Sequence, residues 1–238
     1  MQKITKETLN KSPTKSSSYF DEPKEYVVGF IPRKNGTYRI EIDCAIEEVS
    51  QFSTAIQVLD MAKEDDDVEI YLQCPGGNVD ASGAFLHAMH KCLAPIHIVA
   101  TGGCHSASTH ILLAADSFEL AENFNALIHN GSAGAYGNIN EYHSKSDFDK
   151  SFIRRQYDSI YEGFLTPEDF SSMMDGKNIW VDAEGWYNRS LARMEYFKSK
   201  QEAYETESQA DIVAKMESEI EESSRLKKPK SKKAVATA

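Results

Sequence analysis

Hydrophobic and polar positions along the chain fall into segments of distinct period. Tyr26-Val-Val-Gly-Phe-Ile31 and Tyr38-Arg-Ile-Glu-Ile42 are rich in β-branched and aromatic residues and flank Lys34-Asn-Gly36, a hairpin-turn signal. They predict two strands. Ile46, Val49, Phe52, Ile56 and Leu59 then recur at steps of three or four, which predicts an amphipathic helix to about Ala62. The acidic run Glu64 to Asp67 reads as a solvated loop before a buried strand at Val68–Leu72. A turn at Cys74-Pro-Gly-Gly-Asn78 leads into a helix from about Ala81 to Lys91. Ile96–Ala100 predicts a further strand, broken by Gly102-Gly103, and a helix follows from about Ser106 to Ala115. Short strands are expected at Ser117–Leu120 and Ala126–His129. The middle of the chain thus reads βαβαβαββ, the pattern of an α/β fold with a mainly parallel sheet covered by helices.

Residues 131–138, GSAGAYGN, are too glycine-rich for a core element, and a long helical pattern runs from about Ile139 to Gly163. Tyr142, Phe148, Phe152, Tyr157 and Ile160 are among its apolar positions. Thr166-Pro-Glu-Asp169 combines an N-cap with proline at the first helical position, so a short helix starts there. Ile179–Val181 reads as a strand, with Asp182 capping a further helix. Three regions follow: a polar, flexible N-terminal arm over 1–24, a folded domain over 25–200, and a charged, disordered C-terminal tail over 201–238. The tail carries seven acids between 205 and 222 and six bases between 225 and 233, and reads as solvated.

With 41% hydrophobic residues, 238 residues can bury a sizeable core. The net charge of −11 argues against general nucleic-acid binding, because nothing offsets phosphate repulsion over most of the surface. Cys44, Cys74, Cys92 and Cys104 show no CxxC spacing and lie in apolar segments, as reduced thiols of a cytoplasmic protein do. The first twenty residues lack the apolar stretch of a secretory signal. Between Cys92 and Ala115 no Asp, Glu, Lys or Arg occurs, a length that spans a bilayer. Pro95, the glycine pair and three histidines break it into a strand, a turn and a buried helix, so no membrane association is expected.

Three segments carry chemistry. Pro75-Gly76-Gly77 closes a buried strand, and glycines there leave backbone amides free to face a developing oxyanion. In Gly102-Gly-Cys-His-Ser106-Ala-Ser-Thr a chain running through glycines into a helix presents a serine at the junction, either as a nucleophile or as a simple N-cap. In Ala126-Leu-Ile-His129-Asn-Gly a histidine ends an apolar strand, where it is structural unless it lies beside Ser106 to act as its base.

Taken together, these motifs resemble ClpP, the proteolytic subunit of the Clp protease, and in particular its divergent phage-type members. The stretch Ser106-Ala-Ser-Thr-His-Ile-Leu-Leu-Ala-Ala-Asp116 also resembles the wider Clp/crotonase and signal-peptide-peptidase superfamily. The resemblance covers about residues 38–193 and implies a ClpP/crotonase-like spiral of ββα units with a protruding handle helix, the handle falling on 131–138 and the helix after it. It implies Ser106 as nucleophile, His129 as general base, and the backbone amides of Gly77 and Ala107 as the oxyanion hole; Ser108 is the decoy one step further into the helix. Anchoring on Ala183-Glu184 puts Asn178 where the family has an aspartate, unless a register slip lets Asp175 or Asp182 serve. An asparagine can orient an imidazole but cannot stabilise imidazolium as a charge.

The same resemblance implies a serine endopeptidase acting on unfolded polypeptides in the cytoplasm, or in the host cytoplasm if the chain is phage-encoded. It would form a homo-oligomeric ring, heptameric or a double ring, with an AAA+ unfoldase as partner and no metal or organic cofactor. A phage head-maturation protease of the same fold and a catalytically weak, ring-forming scaffold are the alternatives, the latter on account of Asn178. A crotonase-type acyl-CoA enzyme is disfavoured by the pairing of Ser106 with an Ile-His strand end. A lysine base of the signal-peptide-peptidase kind is disfavoured too, since no lysine lies between Lys91 and Lys145.

Overall fold

A computed structural model describes residues 27–31, 36–132, 134 and 137–226, so the arm expected over 1–24, the tip of the first hairpin and the last twelve residues lie outside the described residues. The chain divides into two compact units, Met1–Glu119 and Leu120–Ala238.

In the first unit β1 (Val27–Ile31) pairs antiparallel with β2 (Thr37–Ile42). Next to β2 lie β3 (Asp67–Cys74) and β4 (Ile96–His105), all three parallel, and β5 (Ser117–Leu120) pairs with β4. Three helices connect them: α1 (Ser53–Met61), α2 (Val79–Lys91) and α3 (Ala107–Leu113). The alternation of the strands decides which side is core. Ile40, Ile42, Ile70, Leu72 and Ile98 point one way and are fully buried, each worth about 1.5–3 kcal/mol by burial. Phe52 and Phe85 stack at 4.6 Å between the start of α1 and α2 on that side. The intervening residues are half-buried, and there Arg39 pairs with Glu41 at 2.8 Å and lies over the ring of Tyr71.

Two sequence expectations change here. Ile46 is not helical: its N–H donates to Gly76 O at 2.9 Å and its carbonyl accepts from Asn78 at 2.8 Å. A 3-10 turn over Val49–Phe52 precedes α1 instead, because the Gln51 side chain accepts from the backbone of Glu47 and Glu48 and sets the helix start there. Nor does the strand at Ile96 break at Gly102-Gly103; β4 runs through both glycines. From Leu72↔Ala100 to Cys74↔Cys104 the register advances two residues on β3 and four on β4, a bulge on β4. A Cβ on Gly102 would lie 2.9 Å from the Gln73 side chain, so the glycine answers a close passage rather than a chain break.

In the second unit β6 (Asn125–Ile128) and β7 (Ile179–Asp182) form an antiparallel ladder. Between them α4 (Ile139–Ile160) opens on a capping box of Asn138 and Glu141, and α5 (Pro167–Met174) on the Thr166 hydroxyl, which accepts from Asp169 N at 3.1 Å. Asp182 caps α6 (Ala183–Leu226) by accepting from Gly185 N at 2.8 Å. Trp186, fully buried on α6, packs against Phe164 at 4.6 Å and Phe124 at 5.7 Å. Arg189 clamps Asp169 at 2.7 Å, and Arg193 donates to Ile160 O. The α6 backbone stays helical to Leu226, well past residue 201 where a disordered tail was expected to begin. The reason is local: no Gly or Pro occurs between Gln201 and Leu226, and Glu, a good helix former, is the commonest residue there.

Candidate active site

The end of β3 and the end of β4 bring the first group of expected residues together. After Cys74 the chain turns through Gly76 at φ 83° and Gly77 at φ 144°, conformations closed to residues with a Cβ. Asn78 then caps α2, accepting from Asp80 N at 2.9 Å and Ala81 N at 3.2 Å. A Cβ on Gly76 would lie 2.3 Å from His105 O, 2.8 Å from Ser106 Cβ and 3.0 Å from Ala107 N. The glycine turn is therefore pressed against the serine junction, and the structure brings Gly76-Gly77 and Ser106-Ala107 together. The bridge to Ile46 uses Gly76 O and Asn78 N, which leaves the Gly77 amide outside it. Ala107 is the first residue of α3, so its amide lies outside the helical ladder.

Ser106 itself is strained. At φ 55° and ψ −127° it is the one non-glycine residue with positive φ among the described residues. Such a conformation costs about 1–3 kcal/mol and persists only where surrounding contacts impose it. Its side chain makes no capping hydrogen bond, so the simple N-cap role is not what this serine performs. Its neighbour differs in every respect. Ser108 is fully buried, and its hydroxyl lies 2.8 Å from both Cys74 O and His105 O, stitching the end of β3 to the junction.

Cys74 and Cys104 face each other across β3 and β4. Burial pushes the Cys74 thiol up to about 11 and the Cys104 thiol up to about 12. Both stay protonated at neutral pH and are poor nucleophiles beside the half-buried serine.

The second unit holds the other expected residues. His129, half-buried, follows β6, and Asn178, exposed, precedes β7. Ile128↔Ile179 is the last pair of the ladder, so His129 and Asn178 are the next residue on each chain. Asp182 lies opposite Asn125 at the other end of that ladder and is engaged as the cap of α6. Asp175 is exposed at the end of α5, three residues ahead of Asn178. The register thus favours Asn178 over both aspartates as the neighbour of His129. Sequence reasoning missed two supports: Ile46, which brackets Gly77, and Asn130, whose amide donates to Met174 O at 3.1 Å. Neither leaves a local signal, because each acts on a residue more than thirty positions away.

A mixed α/β fold with a strained serine at a strand-to-helix junction, backed by a glycine turn, has the construction of an acyl-transfer site. Comparison with known proteins gives the family. The Clp protease family model matches residues 39–163, more than half of the chain, and the chain belongs to the Clp protease family. Over 132 residues it is 26% identical to the ATP-dependent Clp protease proteolytic subunit of Deinococcus radiodurans, an alignment covering 47% of this chain. The chain spans 64% of the length of that relative. In fold it is similar to an asparagine-to-aspartate mutant of ClpP1 from Listeria monocytogenes, with a TM-score of 0.50 at 19% identity, over 63% of this chain and 86% of that one. The family match includes Gly77, Ser106, Ala107 and His129; Asn178 lies beyond it. No helix among the described residues is long and apolar enough to cross a membrane.

Proposed function

We propose that this chain is a ClpP-type serine endopeptidase that cleaves unfolded polypeptides through an acyl-enzyme. The observation that carries this reading is Ser106: strained, half-buried, free of a capping bond and backed by a glycine turn. In the first step His129 accepts the Ser106 hydroxyl proton as Oγ bonds to the scissile carbonyl carbon. The Gly77 and Ala107 amides hold the oxyanion. Collapse breaks the C–N bond, and His129 returns the proton to the leaving amine. Water then attacks the ester carbonyl, giving a proton to His129; the C–Oγ bond breaks as His129 passes that proton to Oγ, which releases the acid and regenerates the serine. Asn178 orients the imidazole through its side-chain oxygen but, being neutral, adds no charge stabilisation. The mechanism requires His129 within hydrogen-bond reach of Ser106 when substrate is bound.

The reading extends to a homo-oligomeric ring, heptameric or double, that encloses the sites and is fed by an AAA+ unfoldase. The name of the Deinococcus relative, an ATP-dependent proteolytic subunit, supports an ATPase partner, and this chain has no GxxxxGK[ST] loop of its own. Asn178 favours a second reading, a ring-forming scaffold with slow chemistry. Labelling the purified chain with a fluorophosphonate and mapping the modified peptide separates the two. The peptidase reading expects a label on Ser106 that disappears in Ser106→Ala and His129→Ala. An unlabelled protein that still assembles into rings belongs to the scaffold reading, and a label on Ser108 would move the nucleophile.

A further inference from the structure

The second unit contains a cavity of about 380 Å³ that opens off the residue following His129. One wall is a face of α4, where Tyr142, Asp149, Lys150 and Ile153 are spaced to line the same side; Asn130 and Met174 form the other. The bond from Asn130 to Met174 O ties that second wall together. Apolar area is supplied by Tyr142, Ile153 and Met174, enough to hold the stem of a medium or large side chain.

Its two charges are not equivalent. Lys145 grips both oxygens of Asp149, at 2.6 and 2.7 Å, so the carboxylate brings little net charge to the cavity. Lys150, exposed at the rim, has no ion-pair partner among the described residues. One uncompensated cation remains on a cavity of mixed lining whose apolar part is Tyr142, Ile153 and Met174. A side chain that suits it has a methylene stem and an acidic or neutral polar end; a lysine or arginine end would meet Lys150 with like charge.

We infer that this cavity is a side-chain subsite selecting glutamate, and to a lesser degree glutamine or methionine, over lysine and arginine, with Lys150 as its specificity-determining residue. The assignment to the scissile-bond region rests on the reading of His129 as the general base; the charge preference itself does not need catalysis.

Binding to the Ser106→Ala protein tests the preference without turnover. Fluorescein-labelled peptides of one neutral sequence, differing only in a single central Glu, Gln or Lys, would be titrated and followed by anisotropy. An exposed ion pair is a modest interaction, so the Glu peptide should bind roughly tenfold more tightly than the Lys peptide at low salt. The ratio should shrink toward unity at about 1 M salt, where the screening length is about 3 Å. Lys150→Met should bring the ratio to about one, and Lys150→Glu should invert it. Equal binding of Glu and Lys peptides, or a ratio unmoved by Lys150→Glu, overturns the inference. Fluorophosphonate labelling of the wild-type chain reports separately on the proposed peptidase. A charge preference that follows Lys150 in a protein that takes no label keeps the subsite and discards the peptidase; a label on Ser106 with no charge preference does the reverse.

Discussion

Ser106 is both the proposed nucleophile and the strained residue of the junction, and the two can be separated. Glycine accepts φ 55° and ψ −127° without penalty, against about 1–3 kcal/mol for serine, and gives back about 0.5–1 kcal/mol in chain entropy. Ser106→Gly should therefore raise stability by roughly 1 kcal/mol, read from the urea midpoint, while abolishing turnover. Ser106→Ala keeps the Cβ and the strain, so it should lose turnover with stability near wild type. Asn178 calls for the opposite experiment. If it orients His129, Asn178→Asp adds a charge that stabilises imidazolium and should raise kcat about tenfold or more. An unchanged or lower kcat removes Asn178 from the site.

Among the elements, β3, β4 and α3 meet at the Ser106 junction, and their contacts are polar as well as apolar. Ser108→Ala removes a buried hydroxyl from between Cys74 O and His105 O and should cost about 1–2 kcal/mol in chemical denaturation, with the fluorophosphonate label still on Ser106. The paired thiols of β3 and β4 make an alkaline prediction. In the unfolded chain both ionise near 9.0, whereas in the fold they hold their protons to about 11 and about 12. Above pH 9 the unfolded state binds fewer protons, so stability falls with rising pH by about 1.4 kcal/mol per unit per thiol, levelling off once the folded thiols also ionise. Urea midpoints from pH 8 to 10.5 check the slope, which should flatten in a Cys74→Ser, Cys104→Ser double variant.

Over the whole molecule, charge and length concentrate at the C-terminus. Residues 201–206 of α6 are exposed, whereas Trp186, Arg189 and Arg193 earlier in the helix make its contacts. If the contacts of Trp186, Arg189 and Arg193 hold the helix, ending the chain after Thr206 should leave the thermal midpoint within about 2 °C of wild type. The helical circular-dichroism signal should fall by the share of the twenty residues from Glu207 to Leu226, which are all within α6. A large drop in midpoint instead would mean that this end of the helix is held by contacts between copies.

The order of strands and helices and the family were legible in the sequence, and the candidate residues could be named from it, because each depends on short-range features. Strand alternation, the Asn78, Thr166 and Asp182 caps, and the Pro-Gly-Gly turn are all written within a few residues of where they act. Tertiary structure decided what depends on contacts between distant positions. It turned Ile46 from a helical residue into a bracket for Gly77, because the backbone bonds on offer lay thirty residues ahead. It carried β4 through two glycines, because at the bulge Gly102 passes too close to the Gln73 side chain for a Cβ. It gave Ser106 and Ser108 different surroundings, the first strained and half-buried at the junction, the second fully buried and hydrogen-bonded to Cys74 O and His105 O. It also placed Asn178 and His129 just past the same end of the β6–β7 ladder and Asp182 at the other, since the pairing of two antiparallel strands depends on a register that neither strand contains by itself.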